Sequence, residues 1–205
     1  MKKVLLILCV LGMFLFVSNS FAVDFGFYLD LGSGSGEAEY DIAYSERFDM
    51  DSDFFGLGFQ LETNPITPKK IFSYRLQAGF ESRGMEDDYG TTLELGGLVF
   101  NNTFAFGGNT SAKTRLWGGP QILVGFYSGK TDDQFQGDEI SYTGTAFALG
   151  LAGGANFGLG SGKTILTTTI GVRSLAYSGD AEWYDWNETL EGNSTDIFIS
   201  VGMLF

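Results

Sequence analysis

Histidine is absent from the 205 residues, cysteine occurs once and proline three times. Without an imidazole, a His-based catalytic triad, the HExxH zinc site and other His-carrying metal sites are excluded. The single thiol, Cys9, rules out an intrachain disulfide staple. Basic residues are scarce, with 12 Lys+Arg against 25 Asp+Glu and a formal charge of −13. Such a chain offers no electrostatic footprint for a phosphate backbone, which argues against nucleic acid as a partner. No apolar run reaches the ~20 residues that a membrane-spanning helix requires. The longest, Val4 to Val17, has fourteen.

That run is informative for another reason. Lys2 and Lys3 precede it, and Ser18-Asn19-Ser20-Phe21-Ala22 follows it. A basic start, a short apolar stretch and small residues at the end form a secretory signal pattern, so residues 1–22 are expected to be a cleaved leader. Leu8 before Cys9 is bulky where lipoprotein processing wants a small residue, which argues against lipidation. Cleavage removes the thiol and two lysines, leaving 25 acids and 10 bases on residues 23–205, a length suited to one domain. A hydrophobic content of 44% argues against disorder.

What the chain has in abundance is glycine, 30 residues, and aromatics, with 20 Phe and 9 Tyr. They fall in segments of period two, which predict eight β-strands and an all-β fold. Phe25, Phe27, Leu29 and Leu31 alternate with Gly26, Tyr28, Asp30 and Gly32 in a strand near Asp24 to Gly34. Phe55, Leu57, Phe59 and Leu61 alternate with Gly56, Gly58, Gln60 and Glu62, and Phe72, Tyr74, Leu76, Ala78 and Phe80 with Ser73, Arg75, Gln77, Gly79 and Glu81. The fourth strand, from Thr91, sets Leu93, Leu95 and Val99 against Glu94 and Gly96. Its phase blurs between Phe100 and Phe106, where a bulge is expected. Strands near Thr114 to Ser128, Ser141 to Leu159, Thr164 to Tyr177 and Thr195 to Phe205 complete the set, the first of them distorted at Pro120, which lacks an amide donor.

The face opposite the apolar one is mostly small, with isolated charges. That suits a narrow lumen and points to a transmembrane barrel, apolar outside and polar within, rather than a soluble periplasmic one. Connections alternate short and long. Thr63 to Lys70, Gly107 to Lys113 and Gly160 to Lys163 read as turns, and Ser35 to Asp53, Ser82 to Gly90, Gly129 to Ile140 and Gly179 to Ser194 as loops. Twenty of the 25 acids fall in or beside those loops, whereas the turns carry Lys69, Lys70, Lys113 and Lys163. The expected orientation has acidic loops outside the cell and both termini in the periplasm. Asp30, Glu62, Glu81, Glu94 and Asp196 are expected to pair with Arg75, Arg115 and Arg173 in a charge network that plugs the lumen.

Several motifs tempt and fail. Gly158 to Thr164 resembles a phosphate-binding loop, but Phe157 stands where its first Gly belongs and no helix follows, so a hairpin is expected. Gly32-Ser33-Gly34-Ser35-Gly36 lacks dinucleotide spacing and reads as a flexible strand end. Asp49, Asp51 and Asp53 alternate like calcium ligands, but Phe54 and Gln60 break the EF-hand pattern, and a solvated acidic loop is expected. Trp183, Tyr184 and Trp186 read as an interfacial aromatic girdle. No cofactor or defined metal site is expected.

The last segment is the most specific. Ile197, Ile199, Val201, Met203 and Phe205 alternate with Phe198, Ser200, Gly202 and Leu204 up to an aromatic end. Here the chain resembles the OmpA- and OmpX-type small outer-membrane barrels of Gram-negative bacteria. The resemblance implies an eight-stranded antiparallel up-and-down barrel whose terminal strand is read by the barrel-assembly machinery. It also implies contact with outer-membrane lipid and lipopolysaccharide. Because the loop carboxylates and lipopolysaccharide phosphates would otherwise repel, divalent cations are expected to bridge them. The functional expectation is a non-enzymatic barrel, structural or adhesive, with an extracellular ligand at its acidic loops. The alternative is a narrow channel for small or apolar solutes, as resemblance to OmpW-type barrels suggests. A lipid-modifying barrel enzyme would need the catalytic His that this chain lacks.

Overall fold

In the computed structural model, residues 23–40, 46–87, 90, 92–132, 139–183 and 186–205 are described. The leader at 1–22 and Tyr184 lie outside them, as do the side chains of Trp183 and Trp186. The eight expected strands are all present: β1 Val23–Tyr40, β2 Glu46–Thr63, β3 Phe72–Asp87, β4 Thr92–Ser111, β5 Thr114–Asp132, β6 Glu139–Gly158, β7 Ile165–Trp183 and β8 Trp186–Leu204. Each pairs antiparallel with its neighbour in sequence, and β1 pairs with β8, closing the barrel. Following paired residues once around, from Asp30 through Gly56, Glu81, Gly97, Tyr127, Gly144, Gly179 and Leu190, returns to β1 at Tyr40. That ten-residue offset is the stagger that tilts the strands against the barrel axis.

The outer face carries an apolar belt. Phe25, Phe27, Leu29 and Leu31 on β1, Phe55, Leu57 and Phe59 on β2, Leu149 and Leu151 on β6, and Ile197, Ile199 and Val201 on β8 all point outward and are exposed. Nine residues at ~3.3 Å each, tilted by about 40°, rise about 23 Å, near the ~25 Å band of a transmembrane barrel. A soluble barrel would carry these residues inside, so the outward belt excludes that reading.

The strands, at 16 to 20 residues, run well past the belt. This corrects the expectation of long loops. Ser35 to Tyr40 continues β1, and Glu46 to Asp53 belongs to β2. Gly129 to Asp132 continues β5, and Gly179 to Trp183 and Trp186 to Ser194 extend β7 and β8. Gly32, Gly34 and Gly36 therefore stand inside a strand. At Gly32 a Cβ would come within 2.3 Å of the Phe54 ring, so the residue is there to admit that ring into the lumen. The turns are as short as expected. Gly158 to Thr164 is a hairpin, with Gly160 at positive φ and the Leu159 amide donating to the Thr164 carbonyl at 2.8 Å.

The expected bulge in β4 is absent from Phe100 to Phe106, where pairing with β3 is unbroken. The register shift falls instead between Asn109 and Ser111, against β5. Pro120 behaves as its missing amide requires: β4–β5 pairing is interrupted between Thr103↔Gln121 and Phe106↔Gly118, while the β5–β6 ladder continues past it.

Candidate functional site: a sealed lumen

Beyond the belt the two faces exchange character. Outward positions become polar, Ser33, Ser35 and Glu37 on β1 and Asp49, Asp51 and Asp53 on β2. Inward positions become apolar: Met50, Met85, Leu93, Leu95, Val99, Leu123, Tyr142, Tyr177, Leu175 and Leu190 form one buried cluster. The barrel is polar inside and apolar outside at its turn end, and the reverse at its loop end. The three Asp residues expected in a loop are thus the outer face of an extended strand. Among the described residues no acidic group forms a metal cluster.

The inversion also reverses β4. Leu93, Leu95 and Val99 point inward and are buried, and Glu94 is exposed outside, beside Lys130 in the register. Glu94 is therefore not part of the lumen network. Leu93 and Leu95 belong to the apolar core because they lie above the belt, and Val99 continues that core downward behind the belt residue Leu98.

Two clusters fill the polar half. Near the belt's loop-side edge, Glu81 and Asp196 meet Arg83 and Arg173. Arg83 holds Asp196 with both terminal nitrogens, at 2.7 and 3.1 Å, and reaches Glu81 at 3.1 Å. Arg173 donates to Asp196 at 3.0 Å and to Glu81 at 2.9 Å. The Tyr127 hydroxyl donates to Glu81 at 2.8 Å and Ser194 to Asp196 at 2.9 Å. The Phe54 ring lies 4.7 Å from the Arg83 guanidinium and 4.2 Å from that of Arg173. Two cations and two anions cancel, and shared hydrogen bonds and the ring compensate for the water each gave up.

Toward the turn end, Glu62 accepts from Arg75 at 2.8 and 2.9 Å. Arg75 also donates to Thr169 at 2.7 Å and Asn156 at 3.0 Å, and it stacks 4.3 Å over Trp117. Asn156 binds the other Glu62 oxygen at 2.7 Å and the Pro65 carbonyl at 2.9 Å. Between the clusters, Gln77 joins Gln60, Ser200 and Asn101 at 3.2 Å each.

Of the expected network, Glu62, Arg75, Glu81, Arg173 and Asp196 are brought together as ion pairs. Arg115 is buried but pairs with no acid among the described residues; it donates to the carbonyls of Asn64 and Ile71 and so fastens the turn between β2 and β3. Asp30 is buried with no arginine partner among the described residues, and its Oδ1 accepts no hydrogen bond. Arg83 and Asn156 were missed. Arg83 continues the alternation of Arg75, Gln77, Gly79 and Glu81 by one step, and that step could have found it. Asn156 has no sequence signal beyond facing inward.

The terminal segment behaves as a strand to its end. Ile197, Ile199, Val201, Met203 and Phe205 face outward, and the Phe205 amide donates to the Phe25 carbonyl at 2.8 Å across the seam. Above the charge clusters the apolar core closes the lumen, and burial beside Asp180 pushes the Tyr142 phenol up to about 12.

No protein-family model and no curated protein matches the chain. Solved structures do. The outer membrane protein OprG from Pseudomonas aeruginosa overlays with a TM-score of 0.57 at 10% identity, covering 91% of this chain and 98% of that one. Ail of Yersinia pestis, solved with the heparin analogue sucrose octasulfate, is 13% identical over 86% of this chain and 98% of its own, with a TM-score of 0.32. Neisserial surface protein A is 11% identical over 85% and 96%, with a TM-score of 0.33. The last two overlays are too loose for the chain paths to be equated. The strand count, the closed antiparallel order, the apolar belt and the likeness to OprG give this chain the fold of the small outer-membrane β-barrels.

Proposed function

We propose that the protein is a non-enzymatic outer-membrane barrel that does not conduct ions, with a structural or adhesive role. Residues 1–22 act as its cleaved leader and residues 23–205 as the barrel. The observation that carries this reading is the filled lumen, in which Arg75, Arg83, Arg115, Glu62, Glu81 and Asp196 are almost wholly excluded from solvent. An eight-stranded barrel leaves room only for side chains, and here charge clusters and an apolar core occupy it in series. An ion crossing such a path would displace paired charges and then cross a dry segment. The contact surface is the acidic outer face above the belt, on which divalent cations bridge carboxylates to lipopolysaccharide phosphates and an extracellular ligand docks.

Planar-bilayer recording of refolded protein, with heat-modifiable gel mobility as the folding control, tests the sealed lumen. Silence from folded protein is expected. Steady current would overturn the sealed reading in favour of a narrow channel for small or apolar solutes. The apolar lining of the loop-end half is the observation that favours that second reading.

Terminal recognition is separately testable. The outward alternation ending at Phe205 supports reading of β8 by the barrel-assembly machinery. Deleting Phe205 should leave an exported chain that accumulates poorly in the outer membrane, measured by membrane fractionation. Normal levels would remove the assembly role.

A further inference from the structure

A barrel's outer wall is ordinarily convex, but one stretch of this one is hollow. A groove of about 850 Å³ crosses β5, β6, β7, β8 and β1 obliquely where the belt gives way to the polar face. Its ends differ. Val124, Phe126 and Phe147, at the belt edge, form an apolar wall, and Glu37, Glu39 and Glu191 form the opposite, acidic wall. The floor between them is low, made by Ala176, Ser178 and Gly192. Inside the same stretch the lumen-facing wall residues Gly144, Gly179, Ala146 and Ala181 are small, and Tyr142 packs against the two glycines.

We propose that this groove binds a cationic amphipathic peptide. The groove's polarity runs in one direction, apolar toward the bilayer and anionic away from it. An occupant must therefore place its apolar side chains against Phe126 and Phe147 and its cations against Glu37 and Glu191. An anionic lipid headgroup would meet three carboxylates, and a second copy of this chain would bring further acids to them. A cationic amphipathic segment satisfies both walls at once, and in a volume of this size several of its side chains are accommodated.

Fluorescence anisotropy tests the proposal, using a labelled Lys/Leu peptide and purified protein in zwitterionic micelles, with folding checked by gel mobility. A Glu/Leu peptide of equal length serves as the control. The Lys/Leu peptide should bind and the Glu/Leu peptide should not. Replacing Glu37 and Glu191 together by Gln, or filling the floor with Ala176→Trp, should each weaken binding about tenfold or more. Replacing Glu86 and Glu94 by Gln, which removes the same charge from the outer face of β3 and β4, strands that do not line the groove, should change it less than about twofold. Equal losses from the two charge-neutralised proteins would overturn the proposal in favour of diffuse attraction. Unchanged binding to the Ala176→Trp protein would overturn it by showing that the groove is not the seat.

Discussion

The two halves of this barrel solve opposite problems with the same eight strands. At the turn end the surroundings are apolar, so the wall turns Phe, Leu and Ile outward and must fill its interior with whatever remains. That interior is held by directional contacts, such as the forked Arg83–Asp196 pair and the Arg75–Glu62–Asn156 cluster. At the loop end the surroundings are water. There the wall turns Asp and Glu outward and holds itself together by an ordinary apolar core of Met50, Leu93, Leu123 and Leu175. Inside and outside are therefore properties of height along the axis, not of the strand. A directional interior fails when one partner is lost, whereas an apolar interior degrades by the volume removed.

Three measurements sharpen that contrast. The largest effect is expected from Asp196→Leu, which leaves Arg83 and Arg173 sharing only Glu81 in a sealed lumen. Urea unfolding in micelles should show a loss of about 3–5 kcal/mol. A loss below about 1 kcal/mol would mean that water reaches the cluster. Next comes a matched pair on β6. Leu151→Arg places a cation on the belt and should cost about 2–4 kcal/mol in lipid vesicles, whereas Thr143→Arg, on the same outward face but above the belt, should fall within about 0.5 kcal/mol of the parent. Equal costs would erase the boundary between the halves. The smallest effect is expected from Glu94→Gln. It lies on the water-facing side beside Lys130, and its loss should change stability by less than about 0.5 kcal/mol.

Glu94 shows where the sequence was legible and where it was not. The number of strands, the belt residues and most lumen charges follow from the alternation of apolar and polar residues, because in the belt the bilayer enforces one polarity. Phe25 to Leu31 and Ile197 to Phe205 read without ambiguity for that reason. Above the belt nothing in a single strand says that the polarity has reversed. Glu37, Asp49, Asp51 and Asp53 therefore resembled loop residues, and Leu93 and Leu95 resembled lipid-facing ones. The pairings inside the lumen were illegible for a different reason. Residues such as Arg83 and Asp196 lie 113 positions apart. Their meeting depends on the ten-residue stagger of the closed wall, which emerges only when β1 finds β8.

That seam also fixes an order of events in time. β1 and β8 are the first and last strands described, and each is the other's second neighbour. In a chain made from its N-terminus, β1 keeps one bare edge until β8 exists. No shorter portion of these eight strands can close the same wall. Until β8 has paired with β1, every copy therefore carries exposed strand edges, the state most prone to pairing with other chains. That period of exposure is set by topology, before any particular side chain is considered.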